Sequence, residues 1–420
     1  MKDTLDYLYA LRNRGSDFGL DRMIAFASLL GNPQLSFPVI HVAGTNGKGS
    51  VCSMLDAVYR ANGYSVGLFS SPHLINLGER IRVNGVNLSM NELAAFVEEL
   101  RPVAEEMESE QSGFYPTFFE FMTAMAFLTF QRAKVDLAIF ETGLGGRLDS
   151  TNVVNPELSI ITTIAKDHCA ILGDEIESIA EEKAGIVKKG KPVLTGWLEP
   201  EANRVVQGVA QKRGARFETL AQTNPLSSDL PKTNLFGDYQ RRNAALAKRG
   251  SEILFGKFPV DEEKVKRGLG QVHLEGRWQI LSGKPMIILD ACHNEEGAKA
   301  LRGNLLQLGK PVEVWFGSLG EDRARELIRA VLPYACAFRL FQPNQPRSCS
   351  VRTLEGMIPD HFDGAIYRGE IDSLEKYLEE TQQDRIILMT GSIYLLGEIL
   401  SRVKKLGNDN GNGAELQDLV

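Results

Sequence analysis

The sequence predicts an α/β protein: a doubly wound, mainly parallel sheet carrying a P-loop, followed by a second, smaller α/β domain. Three observations predict it. Apolar β-type runs alternate with amphipathic stretches from Val39 onward, the βαβα pattern of a parallel sheet. A glycine-rich loop stands between the first such strand and the first helix, the position of a phosphate-binding loop. A second α/β series starts near Pro285.

Each element follows from its residues. Val39-Ile40-His41-Val42 is a short buried strand, and Val51, Leu55 and Val58 follow at helical spacing. Ser65 to Phe69, Val135 to Glu141 and Leu158 to Ala165 are further strands. The helices Asn91 to Met107 and Phe118 to Ala133 fall between strands. In the second series Met286 to Leu289 is a strand and Glu295 to Leu308 a helix, with strands at Val312 to Phe316, Ala337 to Phe341 and Ile386 to Met389. The Gly-interrupted stretch Lys266 to Gly283 places the domain boundary near Val272, giving domains 1–272 and 273–420. Ala221 to Asn234 is polar and takes no assignment; Gly407 to Val420 reads as a fraying tail.

Composition narrows the class. At 420 residues, 43% hydrophobic and 24% charged, the chain suits a soluble enzyme of two or three domains. No apolar run approaches the roughly 20 residues that span a bilayer, and the charged start lacks a signal-type apolar region. Five scattered cysteines form no CxxC pair and no disulfide framework, which points to a reducing cytoplasm. The net charge of −7, without a basic block, argues against nucleic acid. An anionic ligand would need helix N-termini, a few cations or a metal. No heptads or long apolar helix demand a partner, so a monomer is expected.

The strongest local signal is Gly44-Thr45-Asn46-Gly47-Lys48-Gly49-Ser50. Glycines let backbone N–H groups converge on oxygens. The following helix adds partial positive charge, and Lys48 a full one. The match to GxxxxGK[ST] is imperfect, because Gly49 follows the lysine and Ser50 comes one residue late. No Asn-Lys-x-Asp guanine reader exists, and the strand from Val135 ends in Glu141 rather than Asp. The loop therefore belongs to a less common nucleotide-binding class.

At this point the residues become recognisable. His41 to Ser50 resembles the folylpolyglutamate and dihydrofolate synthases, relatives of the Mur peptidoglycan ligases. Further matches follow in order: Ser70-Ser71-Pro72-His73-Leu74, Glu79-Arg80-Ile81, Thr117 to Phe121, Glu141 to Asn152, Asp167-His168, Glu182 to Ile186, Gly237 to Gln240 with Asn243, Gly276-Arg277, Asp290 to Asn294 and Thr390-Gly391-Ser392. They run from about Pro38 to Leu396. The resemblance implies a P-loop N-terminal domain, a Rossmann-like C-terminal domain and an active site in the cleft between them.

It also implies a reaction. ATP would phosphorylate a folate-type carboxylate, from dihydropteroate or a reduced folate, and the amine of L-glutamate would displace phosphate from the acyl phosphate. Such chemistry needs positioned charges rather than a protein nucleophile. Asn46, Gly47, Lys48, Gly49 and Ser50 would hold ATP, together with Asn243, Arg277, Asp290 and His293. Ser71, Glu141 and His168 match the family's Mg2+ ligands; serine and carboxylate suit that ion, whereas imidazole alone would suggest a transition metal. Lys183, beside Glu181 and Glu182, reads from the residues alone as solvated surface. The resemblance makes it a carbamylated lysine at a second Mg2+, and Lys48, Glu141, His168 and Lys183 the catalytic set. Thr117, Phe118, Phe119, Glu120, Leu148, Asp149 and Ser150 match the pterin-binding segments. At least one of Phe118, Phe119 and Phe121 reads as helix core, and Cys292 as a packing residue. Ser71 to Arg82 would be a flexible loop, and His73 resembles members that also use dihydropteroate. Two alternatives stay open: a Mur-type ligase with another acceptor, and a non-catalytic nucleotide-binding protein.

Overall fold

A computed structural model describes residues 2–12, 19–223, 225–281 and 283–409. It divides into two compact units, Met1–Asn234 with Gln240–His273, and Leu235–Tyr239 with Leu274–Val420.

The first unit is built on eight strands: β1 Val39–Ala43, β2 Val66–Phe69, β3 Ile81–Val83, β4 Val86–Asn87, β5 Leu137–Glu141, β6 Leu158–Ile161, β7 Val193–Thr195 and β8 Phe217–Thr219. Their order is β4-β3-β2-β5-β1-β6-β7-β8. The run from β2 to β8 is parallel, and β3 and β4 add an antiparallel edge. β1 is buried along its whole length, as an apolar central strand must be. The chain builds outward on both sides of β1, so strand order reverses there, and α/β sheets place ligands at such a reversal.

Helices cover the sheet. Phe118–Ala133 buries a nearly continuous apolar surface, and its Phe127 and Phe130 rings pack on Phe140 of β5. Its N-terminus is a capping box: Thr117 Oγ1 accepts from Glu120 N–H, and the Glu120 carboxylate returns to Thr117. Met90–Glu110 starts with the same device, Ser89 and Glu92. A separate apolar cluster joins Ile161 to the helices Ile176–Ala184 and Pro200–Lys212.

The second unit holds six strands: β9 Gln279–Leu281, β10 Met286–Asp290, β11 Val312–Phe316, β12 Ala335–Leu340, β13 Ala365–Arg368 and β14 Ile386–Thr390. Their order is β13-β12-β11-β14-β10-β9, parallel except for β9 against β10. The chain steps outward from β10 to β11, β12 and β13, then returns to insert β14 beside β10. The segment Leu235–Tyr239 belongs to this unit although the helices Asp238–Ile253 and Glu262–Leu269 separate it in the chain from the rest of the unit. Phe236 stacks on Trp278, with centroids 5.4 Å apart and planes 16° off parallel.

Several elements differ from expectation. The hairpin β3–β4, the strands β7, β8 and β13, and β9 inside the Gly-interrupted stretch are all short and carried few apolar residues to announce them. Among the described residues of Ala221 to Asn234, the one helical element is a 3-10 turn, Ser227–Asp229. The helix Ile393–Asp409 runs into the expected fraying tail, and residues 410–420 lie outside the described residues. Among the described residues no helix is long and apolar enough to cross a membrane.

Candidate functional site

The phosphate-type loop leaves β1 at Gly44 and enters the helix Lys48–Ala61. Two glycines are required by space and backbone. A Cβ on Gly44 would stand 1.9 Å from Thr162 Oγ1, and one on Gly47 2.7 Å from Asn243 Oδ1. Gly47 also has φ +82, a region glycine enters without strain. A threonine pair past β6 anchors the loop: Thr162 Oγ1 donates to Asn46 O at 2.6 Å, and Asn46 N–H donates to Thr163 Oγ1 at 3.0 Å. Thr45 N–H donates to Thr163 O at 2.8 Å. Nothing in the residues alone singled out Thr162 and Thr163; two threonines closing a strand beside the loop strand were the available signal.

Two lysines meet on one carbonyl. Lys48 Nζ donates to Gly44 O at 3.0 Å and to Thr45 O at 3.1 Å. Lys183 Nζ donates to the same Gly44 O at 2.9 Å and is only 3% exposed. The solvated-surface expectation for Lys183 is therefore wrong. The helix Ile176–Ala184 turns it inward while Glu181 stays exposed.

The loop after β5 holds that helix in place. Arg147 N–H donates to Glu182 O at 2.7 Å, and its guanidinium pairs with the Glu182 carboxylate at 2.7 Å. Gly146 packs so closely that a Cβ there would lie 2.9 Å from the carbonyl oxygens of both Glu182 and Lys183. Asp149 organises the loop from inside. Its Oδ2 accepts Gly143 and Leu144 N–H at 2.8 and 2.9 Å, and its Oδ1 accepts Thr151 N–H and the Thr151 hydroxyl. Burial pushes the Asp149 pKa up, while these hydrogen bonds pull it down. Leu148 is half-buried, and Ser150 is buried with its hydroxyl 3.3 Å from that of Thr123.

Glu141 ends β5, 4% exposed, with Oε2 accepting Ser71 N–H at 3.1 Å. A Cβ on Gly49 would lie 3.5 Å from the same oxygen, so the carboxylate faces the first turn of the loop helix. Asn243, buried on the helix Asp238–Ile253, donates to Gln240 Oε1 at 3.1 Å and lies against Gly47. His168 is more exposed than the rest of this group: its side chain is 47% exposed, its φ is +53, and Asp167 lies 3.8 Å away. Among the described residues no three His, Cys, Asp or Glu side chains gather as metal ligands; the expected set contains only two of those types.

The pterin-matching segments divide by role. Phe118 is buried beneath the Arg80 guanidinium, 5.3 Å from the ring centroid. Phe119 is half-buried on Phe69, and Phe121 is wholly core. Glu120 is buried, and its Oε2 already accepts Thr117 N–H and hydroxyl and the Arg22 guanidinium at 2.7–2.9 Å. That oxygen shapes the helix start rather than facing a ligand. In the Ser71 to Arg82 loop, the Glu79 carboxylate accepts the N–H groups of Leu74, Ile75 and Asn76, so the segment carries an internal staple. Arg80 Nε donates to His73 Nδ1 at 2.9 Å.

In the second unit Arg277, Asp290 and His293 come together at the end of β10. Asp290 accepts Trp278 and Cys292 N–H at 3.0 and 2.9 Å. Burial raises its pKa to about 6 against the opposing pull of Arg277 and these hydrogen bonds. Arg277 Nη1 donates to Ala291 O at 3.3 Å, and His293 Nδ1 lies 2.9 Å from that oxygen. Cys292 is buried, its thiol pKa pushed well up by that burial; it packs and does not act as a thiolate.

The parallel α/β unit that carries the glycine loop at the strand-order reversal is of the Mur ligase class. The Mur ligase middle domain family matches residues 42–266. Within that class the chain belongs to the folylpolyglutamate synthase/dihydrofolate synthase family. It is 35% identical to the dihydrofolate synthase/folylpolyglutamate synthase of Bacillus subtilis, over 96% of this chain and 99% of the relative. It is 32% identical to the folylpolyglutamate synthase of Lacticaseibacillus casei, covering 94% and 97%. The folylpolyglutamate synthase structure from Thermotoga maritima superposes with a TM-score of 0.84 at 32% identity, covering 99% of each chain. The Escherichia coli FolC structure with DHPP and ADP superposes at 0.82 and 30% identity, covering 96% and 98%.

Proposed function

We propose that this chain uses ATP to activate the carboxylate of dihydropteroate, and of a reduced folate, and joins L-glutamate to it through an amide bond. The observation that carries the reading is Lys183, a buried lysine held with Lys48 on the Gly44 carbonyl. A buried lysine amine is costly unless it is partnered or put to use; here it stands beside the loop that would receive the phosphates.

The assignments follow from the packing. Asn46, Gly47, Lys48, Gly49 and Ser50 cradle the phosphates, with the Gly47 backbone kept bare so that Asn243 can close on it. Lys48 turns from the loop carbonyls to the outer phosphates when ATP enters. The substrate carboxylate attacks the terminal phosphorus, ADP leaves, and the glutamate amine then attacks the acyl carbon and expels inorganic phosphate. The chain's residues orient these groups and offset their charge. Leu148 and Ser150, with Thr117 to Phe119, bind the pterin end; Asp149 and Glu120 shape that subsite from behind. Arg277, Asp290 and His293 would also be ATP-binding residues.

The donor set fits Mg2+ in part. Glu141 supplies a buried carboxylate beside the loop and Ser71 a hydroxyl, both oxygen donors of the hard type Mg2+ takes. Ser71, Glu141 and His168 would hold one ion, and Lys183, once carbamylated, a second. Bound there, Mg2+ would neutralise phosphate oxygens. The net charge of −7 disfavours nucleic acid, and we take the chain to act in the cytoplasm as a monomer.

The test is turnover of the purified protein with ATP, Mg2+ and L-glutamate, comparing dihydropteroate with tetrahydrofolate by phosphate release and product mass. Turnover of both acceptors is expected. Activity on tetrahydrofolate alone would remove the dihydropteroate half, and silence on both from folded, ATP-binding protein would overturn the acceptor class.

A further inference from the structure

His41 lies in the middle of β1, between β5 and β6, and is wholly buried. Its Nε2 stands 2.8 Å from Thr151 Oγ1. The Thr151 hydroxyl in turn donates its one proton to Asp149 Oδ1, so His41 Nε2 must be the donor. That fixes the tautomer and leaves Nδ1 as an acceptor, buried and without a partner. Valine or leucine would fill a core strand position without stranding a polar atom. A histidine here therefore needs a reason beyond packing.

The reason lies at the far end of the chain of hydrogen bonds. Asp149 Oδ2 accepts Gly143 and Leu144 N–H, and Oδ1 accepts Thr151 N–H. One carboxylate thus sets both ends of the loop that presents Leu148 and Ser150, and His41 orients the hydroxyl that grips it. Burial, with a smaller push from Lys188, holds the His41 pKa down to about 3. The ring is neutral at working pH and keeps its single N–H.

We propose that His41 is a positioning residue for the pterin end of the substrate, acting through Thr151 and Asp149 on the Leu148–Ser150 loop rather than on the phosphate loop that its own strand leads into. The inference rests on the assignment of Leu148 and Ser150 to the pterin subsite. A histidine that merely packs makes the opposite forecast: disturbing β1 would weaken ATP first, because Gly44 follows directly in the chain.

The experiment measures KM for dihydropteroate and for ATP in the full-length chain and in His41→Leu, His41→Gln and Leu148→Ala. His41→Leu should raise the dihydropteroate KM roughly five- to tenfold, the loss expected when one buried hydrogen bond no longer orders the loop. Its ATP KM should stay within about twofold. His41→Gln, whose side-chain amide can donate to Thr151, should recover most of the difference. An ATP KM that rises in step, or a glutamine variant no better than leucine, overturns the proposal. If Leu148→Ala leaves the dihydropteroate KM unchanged, the subsite assignment falls and takes the inference with it. If Leu148→Ala raises that KM while His41→Leu does not, the inference alone falls. Nitrogen-15 NMR of the unaltered chain gives a check independent of variants: the His41 ring should carry its proton on Nε2, and a proton on Nδ1 would refute the relay.

Discussion

Alanine at position 146 is a small change with two readable effects. Its Cβ would sit 2.9 Å from the Glu182 and Lys183 carbonyl oxygens and 3.0 Å from Ile186 Cγ2. Ordinary van der Waals contact begins about half an ångström further out, at 3.4 Å. Carbonyls have no rotamer to escape into, so either the loop or the helix Ile176–Ala184 must shift. Overpacking of this kind costs about 1–3 kcal/mol, or a fall in Tm of roughly 2–10 °C for a unit of this size. The same shift moves Lys183 away from the Gly44 carbonyl, which it now reaches at 2.9 Å. A misplacement of 1 Å near a reaction centre can lower turnover on the order of a hundredfold. Half that displacement should lower kcat about tenfold on the same scale. Thermal melting and steady-state turnover at saturating substrates read the two effects. Gly303→Ala is the control: it lies inside the helix Glu295–Leu308 with open space at its Cβ, and should stabilise by about 0.5–1 kcal/mol. A Gly146→Ala variant that melts and turns over like the parent would refute the close packing. One that melts lower yet keeps full kcat would show that Gly146 does not set the position of Lys183.

Three further outcomes follow from the geometry. Asp290 carries a folded pKa of about 6, above the 3.8 of a free carboxyl. The folded state therefore binds the proton more tightly, and this stabilisation, full below about pH 4, is lost as pH rises to about 6, a change of about 3 kcal/mol. Asp290→Asn should flatten that part of the stability profile in denaturant titrations at pH 4 and pH 7; an unchanged slope would mean another group is responsible. His73→Ala removes the acceptor of the Arg80 hydrogen bond and should lower kcat/KM for dihydropteroate more than for tetrahydrofolate, whereas equal losses on both would deny it a part in acceptor choice. Asp149→Asn turns an amide N–H toward backbone donors that now share a carboxylate, and should cost about 1–3 kcal/mol in urea unfolding; stability within error of the parent would show that the loop does not depend on it.

The parallel strands at the centre of each sheet were legible because burial on both faces leaves uninterrupted apolar runs, as in Val39–Ala43 and Ile386–Thr390. The helix Glu295–Leu308 was legible to the residue, since Asn294 caps one end and Gly309 closes the other. Peripheral strands were not. β13 is exposed at every position, and β4 has only two residues, so neither carries a periodic signal. In the site, the glycine loop announced itself, but the inward turn of Lys183 did not, because Glu181 and Glu182 beside it signal solvent. Asp149 and Glu120 look like ligand-facing carboxylates in sequence. The partners of Asp149 are mostly backbone N–H groups, which no pattern of side chains reveals, whereas the Thr-x-x-Glu spacing of Thr117 and Glu120 is a capping-box pattern.

The placement of Leu235–Tyr239 bears on how the polypeptide can be made and divided. This short run is spatially part of the second unit, yet the chain then returns to finish the first with Gln240–His273. On the ribosome Phe236 emerges before Trp278, so the aromatic face it stacks on does not yet exist. The first unit therefore completes its last helices with an apolar side chain still waiting for its seat, and only later synthesis supplies it. A gene severed after His273 would leave Phe236 permanently stranded on one fragment and Trp278 uncovered on the other. Proteolytic or genetic separation of the two halves thus has no clean cutting point along the sequence, because the chain passes between them after Asn234, after Tyr239 and again after His273.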